Sequence, residues 1–333
     1  MTMTTASAAP ATTGRSASAF EADLVVMSRR EEAQGVVGVE FAHPAGEELP
    51  EWTPGAHIDV HLPGGLIRQY SLSGDPADRG RWRIGVLREA QGRGGSRWIA
   101  DELTEGTTLR VRGPRNNFPL RAADRYLFVA GGIGITPLLP MIREAEAAGA
   151  DWVLHYGGRT RASMAYLGRL REYGPRVRVC PQDEVGLLDL GAVLDAAADD
   201  ALVYCCGPAP LIQALEDRCR GRRPGTLHVE RFSAAASEEG DEGTDTAFEV
   251  VCERSGTTVM VPPELSILEA VENAGIPLLS SCAEGICGTC ETQVLEGEPD
   301  HRDSLLTDEE KVAGASMMIC VSRCRGDRLV LDL

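Results

Sequence analysis

Four cysteines near the C-terminus restrict the local fold more than any other feature of the chain. They are Cys282, Cys287 and Cys290, in the pattern C-x4-C-x2-C, and Cys320, which follows thirty residues later. A segment that brings three thiols to one centre must wrap tightly, and the small residues between these cysteines permit this. The chain has ten cysteines, and a compartment that keeps thiols reduced disfavours disulfides between them. Metal ligation is therefore the better default for this loop.

The spacing of these cysteines is the one that plant-type 2Fe-2S centres use. We predict that the cluster ligands are Cys282, Cys287, Cys290 and Cys320. A structural zinc site with four cysteine ligands is the alternative, although zinc sites more often use two C-x2-C pairs. Cys324 is a second candidate for the fourth ligand. Cys320 is favoured because it lies in the apolar segment 317–321, whereas arginines flank Cys324.

In the rest of the chain, the pattern of apolar residues and turns changes twice. Residues 23–113 hold short apolar runs broken by Gly, Pro and Asp clusters, which predicts an antiparallel barrel or sandwich. From residue 126 strands alternate with helices, including a helix predicted at 163–173, which indicates a parallel α/β sheet. The acidic stretch 233–246 lacks large apolar side chains and predicts a flexible linker. Beyond it we expect a hairpin at 248–261 and a helix that begins with a capping box, Ser266 and Glu269.

The changes in sequence pattern near residue 126 and at 233–246 predict a multidomain fold. The predicted boundaries are a disordered tail at 1–20, an antiparallel β-barrel at 21–121, an α/β parallel-sheet domain at 122–232, a linker at 233–246 and a last domain at 247–333. Each of the three domains is long enough to bury its own core.

Two loops of the α/β region have the composition of an anion site. Residues 131–137, G-G-I-G-I-T-P, follow a buried strand and open a helix, with Thr136 as its predicted N-cap. Glycines before a helix N-terminus leave free N–H groups that suit a pyrophosphate, which makes Gly132, Gly134 and Thr136 candidates. Cys206, Gly207 and Pro208 again end a strand and open a helix, so both loops border one crevice. A plain strand-to-helix turn and a merely buried Cys206 thiol are the alternatives.

A third group of residues lies in the predicted barrel. The motif R-Q-Y-S supplies Arg68, Tyr70 and Ser71, and a later segment supplies Arg88 and the turn Gly94, Gly95 and Ser96. The turn precedes a predicted helix and offers N–H donors to a phosphate, while Arg68 offers a cation. Taken alone, R-Q-Y-S is better explained as an ordinary strand.

In chain order, the motifs are R-Q-Y-S, G-G-I-G-I-T-P and C-G-P, followed by the C-terminal cysteine loop. Together they resemble the phthalate dioxygenase reductase and vanillate demethylase reductase family, within the ferredoxin-NADP reductase superfamily. The resemblance covers about 310 residues, everything except the N-terminal tail. It implies a β-grasp ferredoxin fold for the last domain. It also implies FMN in the barrel domain, a 2Fe-2S cluster in the last domain and NADH as the usual electron donor.

The resemblance assigns roles to particular positions. Flavin contacts fall on Arg68, Tyr70 and Ser71, with Gly95 and Ser96 at the flavin phosphate and Phe232 near the flavin. Nucleotide contacts fall on the loop from Gly132 to Thr136. Cys206 and Glu230 are the catalytic candidates, Cys206 beside the nicotinamide and Glu230 near the flavin. Arg159 and Arg161 follow the next strand, where no acidic residue is present to hold a ribose hydroxyl, so NADPH stays possible.

The resemblance implies an electron-transfer enzyme. A nicotinamide gives two electrons as hydride, whereas oxygenase iron accepts single electrons, and a flavin converts one into the other. The expected acceptor is a separate oxygenase, either a Rieske-type oxygenase or demethylase or a haem-thiolate monooxygenase. One alternative is a stand-alone reductase of small acceptors such as free flavin or ferric chelates. A colourless zinc-stabilised binding module is the other alternative.

Charge is concentrated at the C-terminus. Residues 233–333 carry 21 acidic and 6 basic side chains, a net charge of −15 out of −17 for the chain. This excludes a nucleic-acid partner, which needs a basic face, and favours an oxygenase that docks on the acidic domain through a positive face. A solvated acidic surface without a partner is the alternative.

We expect a cytoplasmic monomer. No membrane span is expected, because the longest uncharged stretch, 126–142, is short and broken by Gly and Pro.

Overall fold

A computed structural model describes residues 20–233 and 245–333 of the chain. The predicted tail up to residue 19 and most of the predicted linker therefore lie outside the described residues, whereas Phe20 packs against the barrel. Three sheets account for most of the fold, formed in turn by residues 21–116, 125–230 and 248–331.

The first sheet has six antiparallel strands and curls into a barrel. Its elements are β1 (Glu21–Ala33), β2 (Val36–Ala42), β3 (Ala56–Leu62), β4 (Leu66–Ser71), β5 (Trp82–Leu87), α1 (Gly95–Asp101) and β6 (Thr108–Asn116). The strand order is β4-β3-β6-β1-β2-β5, and a bridge between Leu72 and Ile84 connects the two edges. This confirms the predicted antiparallel barrel.

Alternation along β3 decides which of its side chains fill the barrel. Ile58 and Val60 are fully buried in the core with Trp82. His57 and Asp59 point to the opposite face of the strand, yet they are only 5% and 2% exposed. This polar face is buried because the segment 280–290, hereafter the cysteine loop, packs over it and contacts Asp59.

The second sheet is parallel, with strand order β11-β10-β7-β8-β9. Its elements are β7 (Arg125–Gly131), α2 (Ile135–Ala147), β8 (Asp151–Gly158), α3 (Leu167–Leu170), β9 (Val177–Pro181), α4 (Gln182–Val185), α5 (Leu190–Asp195), β10 (Leu202–Cys206), α6 (Ala209–Cys219) and β11 (Leu227–Glu230). One core packs α2 on one face of the sheet, and a second core packs α5 and α6 on the other face. The predicted α/β fold is confirmed.

The helix predicted at 163–173 is wrong in its extent. The structure has a 3-10 turn at Arg161–Ser163, the four-residue helix α3, and a second 3-10 segment at Arg171–Arg176. Tyr166 has a φ of 63°, which breaks the helical path just before α3. Gly174, with a φ of 55°, and Pro175 prevent a regular helix after it.

Thr136 is not the N-cap of α2, contrary to the prediction. A 3-10 turn at Gly132–Gly134 runs directly into the helix, which places its N-cap at Gly134. Thr136 therefore lies inside the first turn, where its hydroxyl donates a hydrogen bond to the carbonyl of Ile133 at 3.0 Å. The side chain is 1% exposed.

The third sheet is mixed, with order β13-β12-β18-β14-β16 and a separate two-stranded ribbon of β15 and β17. Its elements are β12 (Phe248–Cys252), β13 (Thr257–Val261), α7 (Ile267–Asn273), β14 (Glu291–Glu296), β15 (Pro299–Asp300), α8 (Asp308–Ala313), β16 (Ser316–Met318), β17 (Arg323–Cys324) and β18 (Arg328–Leu331). The capping box of Ser266 and Glu269 forms as predicted. Cys320 lies in the turn after β16 rather than on a strand, because the Val321 amide bonds back to the Met318 carbonyl.

No helix within residues 20–233 and 245–333 is both long and apolar enough to cross a membrane.

The close approach of two loops of the parallel sheet yields a test of this fold. A Cβ atom added at Gly134 would lie 2.2 Å from the carbonyl oxygen of Cys206. We expect Gly134→Ala to lower the free energy of unfolding by about 1–3 kcal/mol, as overpacking does. Gly168→Ala is the matched control, because its Cβ would meet no atom within 4 Å and lies in helix α3, where alanine is favoured. Thermal unfolding that ranks the two variants in the reverse order would contradict the packing.

Candidate active site and cluster-binding loop

One cavity of about 950 Å³ lies where the barrel, the parallel sheet and the cysteine loop meet. Tyr70 and Ser71 line it from the barrel, Thr136 and Glu230 from the parallel sheet, and Cys282 from the cysteine loop. Its volume is at the upper end of the range for cofactor sites. The structure thus brings the three groups of predicted site residues to one place.

The start of helix α1 could hold an anionic group such as a phosphate. Gly94 has a φ of 94° and is the N-cap, and a Cβ at Gly95 would lie 2.9 Å from Cγ of Arg68, so both glycines are needed. The buried Nη2 of Arg68 has no hydrogen-bond partner among the described residues. Burial and the nearby charge of Arg93 both lower the pKa of Arg68. An anion at this point would satisfy the free N–H groups and relieve the repulsion between the two cations.

Another part of the cavity is lined by Tyr70 and by a hydrogen-bonded pair, Ser71 and Glu230. The Ser71 hydroxyl donates to Oε2 of Glu230 at 3.3 Å. Glu230 faces the cavity but is remote from bulk solvent, and this desolvation raises the pKa of its carboxyl to about 8. Burial likewise raises the pKa of Tyr70 above its usual value. At neutral pH the residues here are therefore mostly uncharged, which suits an isoalloxazine ring.

Glycines allow the two predicted nucleotide loops to lie against each other. A Cβ at Gly131 would lie 2.6 Å from Cδ of Pro208, and one at Gly207 would lie 3.0 Å from Cα of Gly131. Gly134 is required by the same packing. Gly132 differs, since it has a φ of 55° and its Cβ position faces open space. Its backbone is therefore a part of this loop that a ligand could approach.

The side chain of Cys206 is placed differently from its predicted catalytic position. It is fully buried in the core on the α2 face of the sheet, and burial raises its pKa well above the ordinary value. Of the residues that the structure describes, the cavity lining includes Glu230 but not Cys206. Phe232 lines the cavity and is 40% exposed.

Two arginines that the sequence suggested as ligand contacts form ion pairs with carboxylates instead. Arg88 points to the surface, where its Nε and Nη2 atoms bond Asp101 at 2.9 Å, and it is outside the described cavity lining. Arg161 makes a two-point ion pair with Glu184 of α4 at 2.9 and 2.6 Å. Arg159 is exposed beside this pair.

The four predicted cluster ligands come together in the last domain. The Cys287 thiol interacts with Cys282, and the Cys320 thiol interacts with both Cys282 and Cys290. Cys324 lies apart on β17, where its thiol contacts the carbonyl of Arg328 at 3.5 Å. The amide of Glu284 donates to Sγ of Cys282 at 3.3 Å, and the amide of Thr289 donates to Sγ of Cys287 at 3.4 Å. These are the N–H to sulfur contacts that an iron-sulfur centre needs.

The shape of the cysteine loop fits a two-iron cluster. Gly285 and Gly288 have φ values of 68° and 72°, and a Cβ at Gly285 would lie 3.0 Å from Cα of Asp303. Within the described residues, no three His, Cys, Asp or Glu side chains surround one point as they do for a single metal ion. A 2Fe-2S centre takes two thiolates per iron, so this wider arrangement is compatible with it.

The barrel contacts the cysteine loop through residues that were not predicted as site residues. Nη2 of Arg93 bonds the carbonyl of Cys282 at 2.7 Å and the carboxylate of Glu284 at 3.0 Å. Nδ2 of Asn117 bonds the carbonyl of Cys287 at 3.1 Å. No sequence motif marks these contacts, because each joins residues more than 160 positions apart.

A buried ion pair lies at the centre of this interface. Arg115 on β6 bonds both carboxylate oxygens of Asp59 on β3, at 2.7 and 2.8 Å, and Gln69 bonds the same carboxylate at 2.9 Å. Ser281 and Thr289 of the cysteine loop contact this group. The alternation along β3 places Asp59 opposite the core-facing residues, and that was the one signal in the sequence for a functional face.

Comparisons with known proteins agree with this geometry. A family model for 2Fe-2S iron-sulfur cluster binding domains matches residues 250–325. The phthalate 4,5-dioxygenase oxygenase reductase subunit of Pseudomonas putida is 40% identical over 316 residues, which are 93% of this chain and 96% of that protein.

Two solved structures extend the likeness to the whole fold. Phthalate dioxygenase reductase, described as a modular structure for electron transfer from pyridine nucleotides to 2Fe-2S, is 37% identical with a TM-score of 0.70, covering 95% of this chain and 98% of that one. An intact type IV self-sufficient cytochrome P450 monooxygenase is 47% identical with a TM-score of 0.86, covering 94% of this chain but 41% of that one. This chain therefore belongs to the phthalate dioxygenase reductase family, oxidoreductases that use a nicotinamide nucleotide, a flavin and a 2Fe-2S cluster to supply electrons to oxygenases.

Proposed function

We propose that this protein oxidises NADH at an FMN site and passes single electrons through its 2Fe-2S cluster to a separate oxygenase protein. The observation that carries the proposal is the shared cavity, in which Tyr70, Glu230 and Cys282 line one space. A bound flavin takes hydride and releases electrons one at a time, a conversion that no side chain performs. The predicted boundaries, 21–121, 122–232 and 247–333, assign one redox group to each domain.

The residues of the chain bind and orient these groups. Arg68, Gly95 and Ser96 would hold the flavin phosphate at the start of α1, which suits the terminal phosphate of FMN. The backbone at Gly132 and the start of α2 would receive the pyrophosphate of the nucleotide, with Gly207 and Pro208 closing the crevice. Cys206 then acts through the position of its backbone, which sets the approach of β10 to the loop at Gly134.

The region after β8 favours NADH over NADPH. Glu184 neutralises Arg161 through two hydrogen bonds, so this guanidinium is already satisfied. The neighbouring Asp183 adds a second carboxylate to α4, and these carboxylates would repel a 2'-phosphate held by Arg159 or Arg161. Arg159 then remains as the cation for the pyrophosphate or the adenosine ribose.

The electron acceptor we propose is an oxygenase with a basic face, which docks on the acidic domain near the cysteine loop. Glu309 of α8 is exposed at the edge of the cavity, and Val312 on the same helix is 89% exposed. An acidic surface around an exposed apolar side chain suits a transient protein contact. The relatives offer both acceptor classes, since one is a subunit of a dioxygenase and another is part of a cytochrome P450 monooxygenase. None of the ten cysteines is in a disulfide, which supports a cytoplasmic setting, and we propose a monomer.

The cluster ligands give the first test. We expect Cys287→Ser to lose the cluster signal in electron paramagnetic resonance and to lose NADH-driven reduction of cytochrome c, a one-electron acceptor. Cys324→Ser is the matched control, since that cysteine lies outside the cluster site, and it should retain both. If Cys287→Ser also abolishes reduction of the flavin by NADH, the cluster supports the fold rather than the transfer. Rapid turnover of ferric chelates that is unchanged in Cys287→Ser would favour the small-acceptor alternative.

The raised pKa of Glu230 gives a second test. The carboxyl is protonated below about pH 8 and ionises as the pH rises through that value. A carboxylate at this place would oppose the negative charge that a flavin gains with hydride. We therefore expect the rate of flavin reduction by NADH, measured by stopped flow, to fall above about pH 8. In the Glu230→Gln variant this side chain cannot ionise, so the rate should no longer fall above about pH 8. A fall like that of the wild type in this variant would contradict the role assigned to Glu230.

The docking surface gives a third test. Screening weakens attraction between exposed charges, so the kcat/KM for cytochrome c, used as a basic protein probe, should fall as salt rises. Glu309→Lys should lower kcat/KM further and reduce its dependence on salt. Glu172→Lys, on the nucleotide domain, is the control for net charge and should have a smaller effect. Salt-independent reduction of cytochrome c would remove the electrostatic docking hypothesis.

A further inference from the structure

The hydroxyl of Thr289 connects the barrel to a cluster ligand. Nη2 of Arg115 donates a hydrogen bond to Oγ1 of Thr289 at 3.1 Å, and Nε2 of Gln69 approaches the same oxygen at 3.5 Å. On its other side, Oγ1 of Thr289 lies 3.3 Å from Sγ of Cys287. A continuous path of hydrogen bonds therefore runs from the flavin-binding strand β4 and from β6 to one thiol of the cluster site.

The chemistry of the donors fixes the direction of this path. The guanidinium of Arg115 and the amide nitrogen of Gln69 can only donate, so the Thr289 oxygen accepts from them. A cysteine that binds iron is a thiolate and has no proton to give. The proton between Thr289 and Cys287 must then be the hydroxyl proton of Thr289, directed at the sulfur. The positive charge of Arg115 polarises that hydroxyl and strengthens its bond to the thiolate.

The buried carboxylate of Asp59 holds Arg115 in this orientation. Asp59 is 2% exposed, and both of its oxygens are bonded by the guanidinium. Burial alone would raise the pKa of Asp59, but its hydrogen bonds to Arg115 and the charge of Arg115 outweigh this and lower it. The carboxylate therefore stays ionised at neutral pH, and the planar two-point pairing leaves one N–H of Arg115 directed at the cysteine loop.

We propose that Arg115 is a positioning residue that acts through Thr289 to favour the reduced cluster when the cysteine loop is docked on the barrel. Hydrogen bonds to ligand sulfurs stabilise the extra electron of a reduced iron-sulfur cluster and so raise its potential. The bond from Thr289 exists in its polarised form only while the loop contacts Arg115. The cluster therefore accepts electrons from the flavin more readily in this docked arrangement than in a domain that has moved away. The inference rests on the proposed function in that the flavin reduces the cluster.

The first experiment compares Thr289→Val with Thr289→Ser in the full-length holoprotein. Valine has the shape of threonine without the hydroxyl, whereas serine keeps the hydroxyl. We expect Thr289→Val to make electron transfer onto the cluster roughly tenfold less favourable, which for one electron is a shift of about 59 mV to more negative potential. Redox titration followed by electron paramagnetic resonance measures this shift directly, and Thr289→Ser should restore most of it. Equal potentials in the wild type and Thr289→Val would overturn the proposal.

A second variant tests the contribution of the barrel. Arg115 alone cannot be removed safely, because Asp59 would be left as a buried uncompensated charge. The paired change Asp59→Asn with Arg115→Gln keeps polar groups of similar shape and removes both charges. It should shift the cluster potential in the same direction, and Thr289→Val should shift it less in that background than in the wild type, since Arg115 no longer polarises the hydroxyl. Fully additive shifts would show that Thr289 acts alone and would refute the inter-domain relay.

The wild-type holoprotein separates failure of this inference from failure of the proposed function. If NADH reduces the wild-type flavin but never the cluster, the proposed function fails. If the wild-type cluster is reduced normally and its potential is insensitive to Thr289 and Arg115, only the relay fails.

Discussion

The buried pair of Asp59 and Arg115 is the interaction on which the arrangement of the redox sites depends. It joins two strands of the barrel and presents one face to the cysteine loop. A single ion pair of this kind adds little net stability, but removal of one partner costs about 3–5 kcal/mol because the other charge is left buried. Its importance here lies in orientation, since the guanidinium, Gln69 and Ser281 all converge on one carboxylate. The cysteine loop is held against the barrel through that convergence.

The cavity arises in a similar way, from close contacts that only certain residues allow. Gly131, Gly134 and Gly207 let the loops after β7 and β10 approach each other to a distance that no side chain would permit. The same loops leave the Cβ position of Gly132 facing open space, while Thr136 in the first turn of α2 and Glu230 at the end of β11 line the cavity. Packing therefore decides which of these glycines are structural and which one stays accessible, although all four belong to similar motifs.

Much of this organisation could be predicted from local patterns. The spacing of the cysteines, the alternation of the barrel strands, the order of strands and helices after residue 126 and the capping box at Ser266 each depend on residues near one another in the chain. The two predictions of helix boundaries that failed have physical causes of different kinds. The helix at 163–173 is broken by the left-handed conformation of Tyr166, which is stabilised by burial of its ring. Thr136 is not the N-cap because a 3-10 turn at Gly132–Gly134, which the glycines allow, runs directly into the helix.

The sequence by itself determined the three kinds of site and the fold class of each region, because thiol spacing, glycine turns and strand periodicity are short-range properties. Only the tertiary structure decided that the sites share one cavity and that Arg93, Asn117 and Arg115 hold the cysteine loop. These contacts join residues far apart in the chain, and no local preference encodes them. They depend on how a polar face of the barrel and a cluster loop bury each other, which is decided only when both have folded.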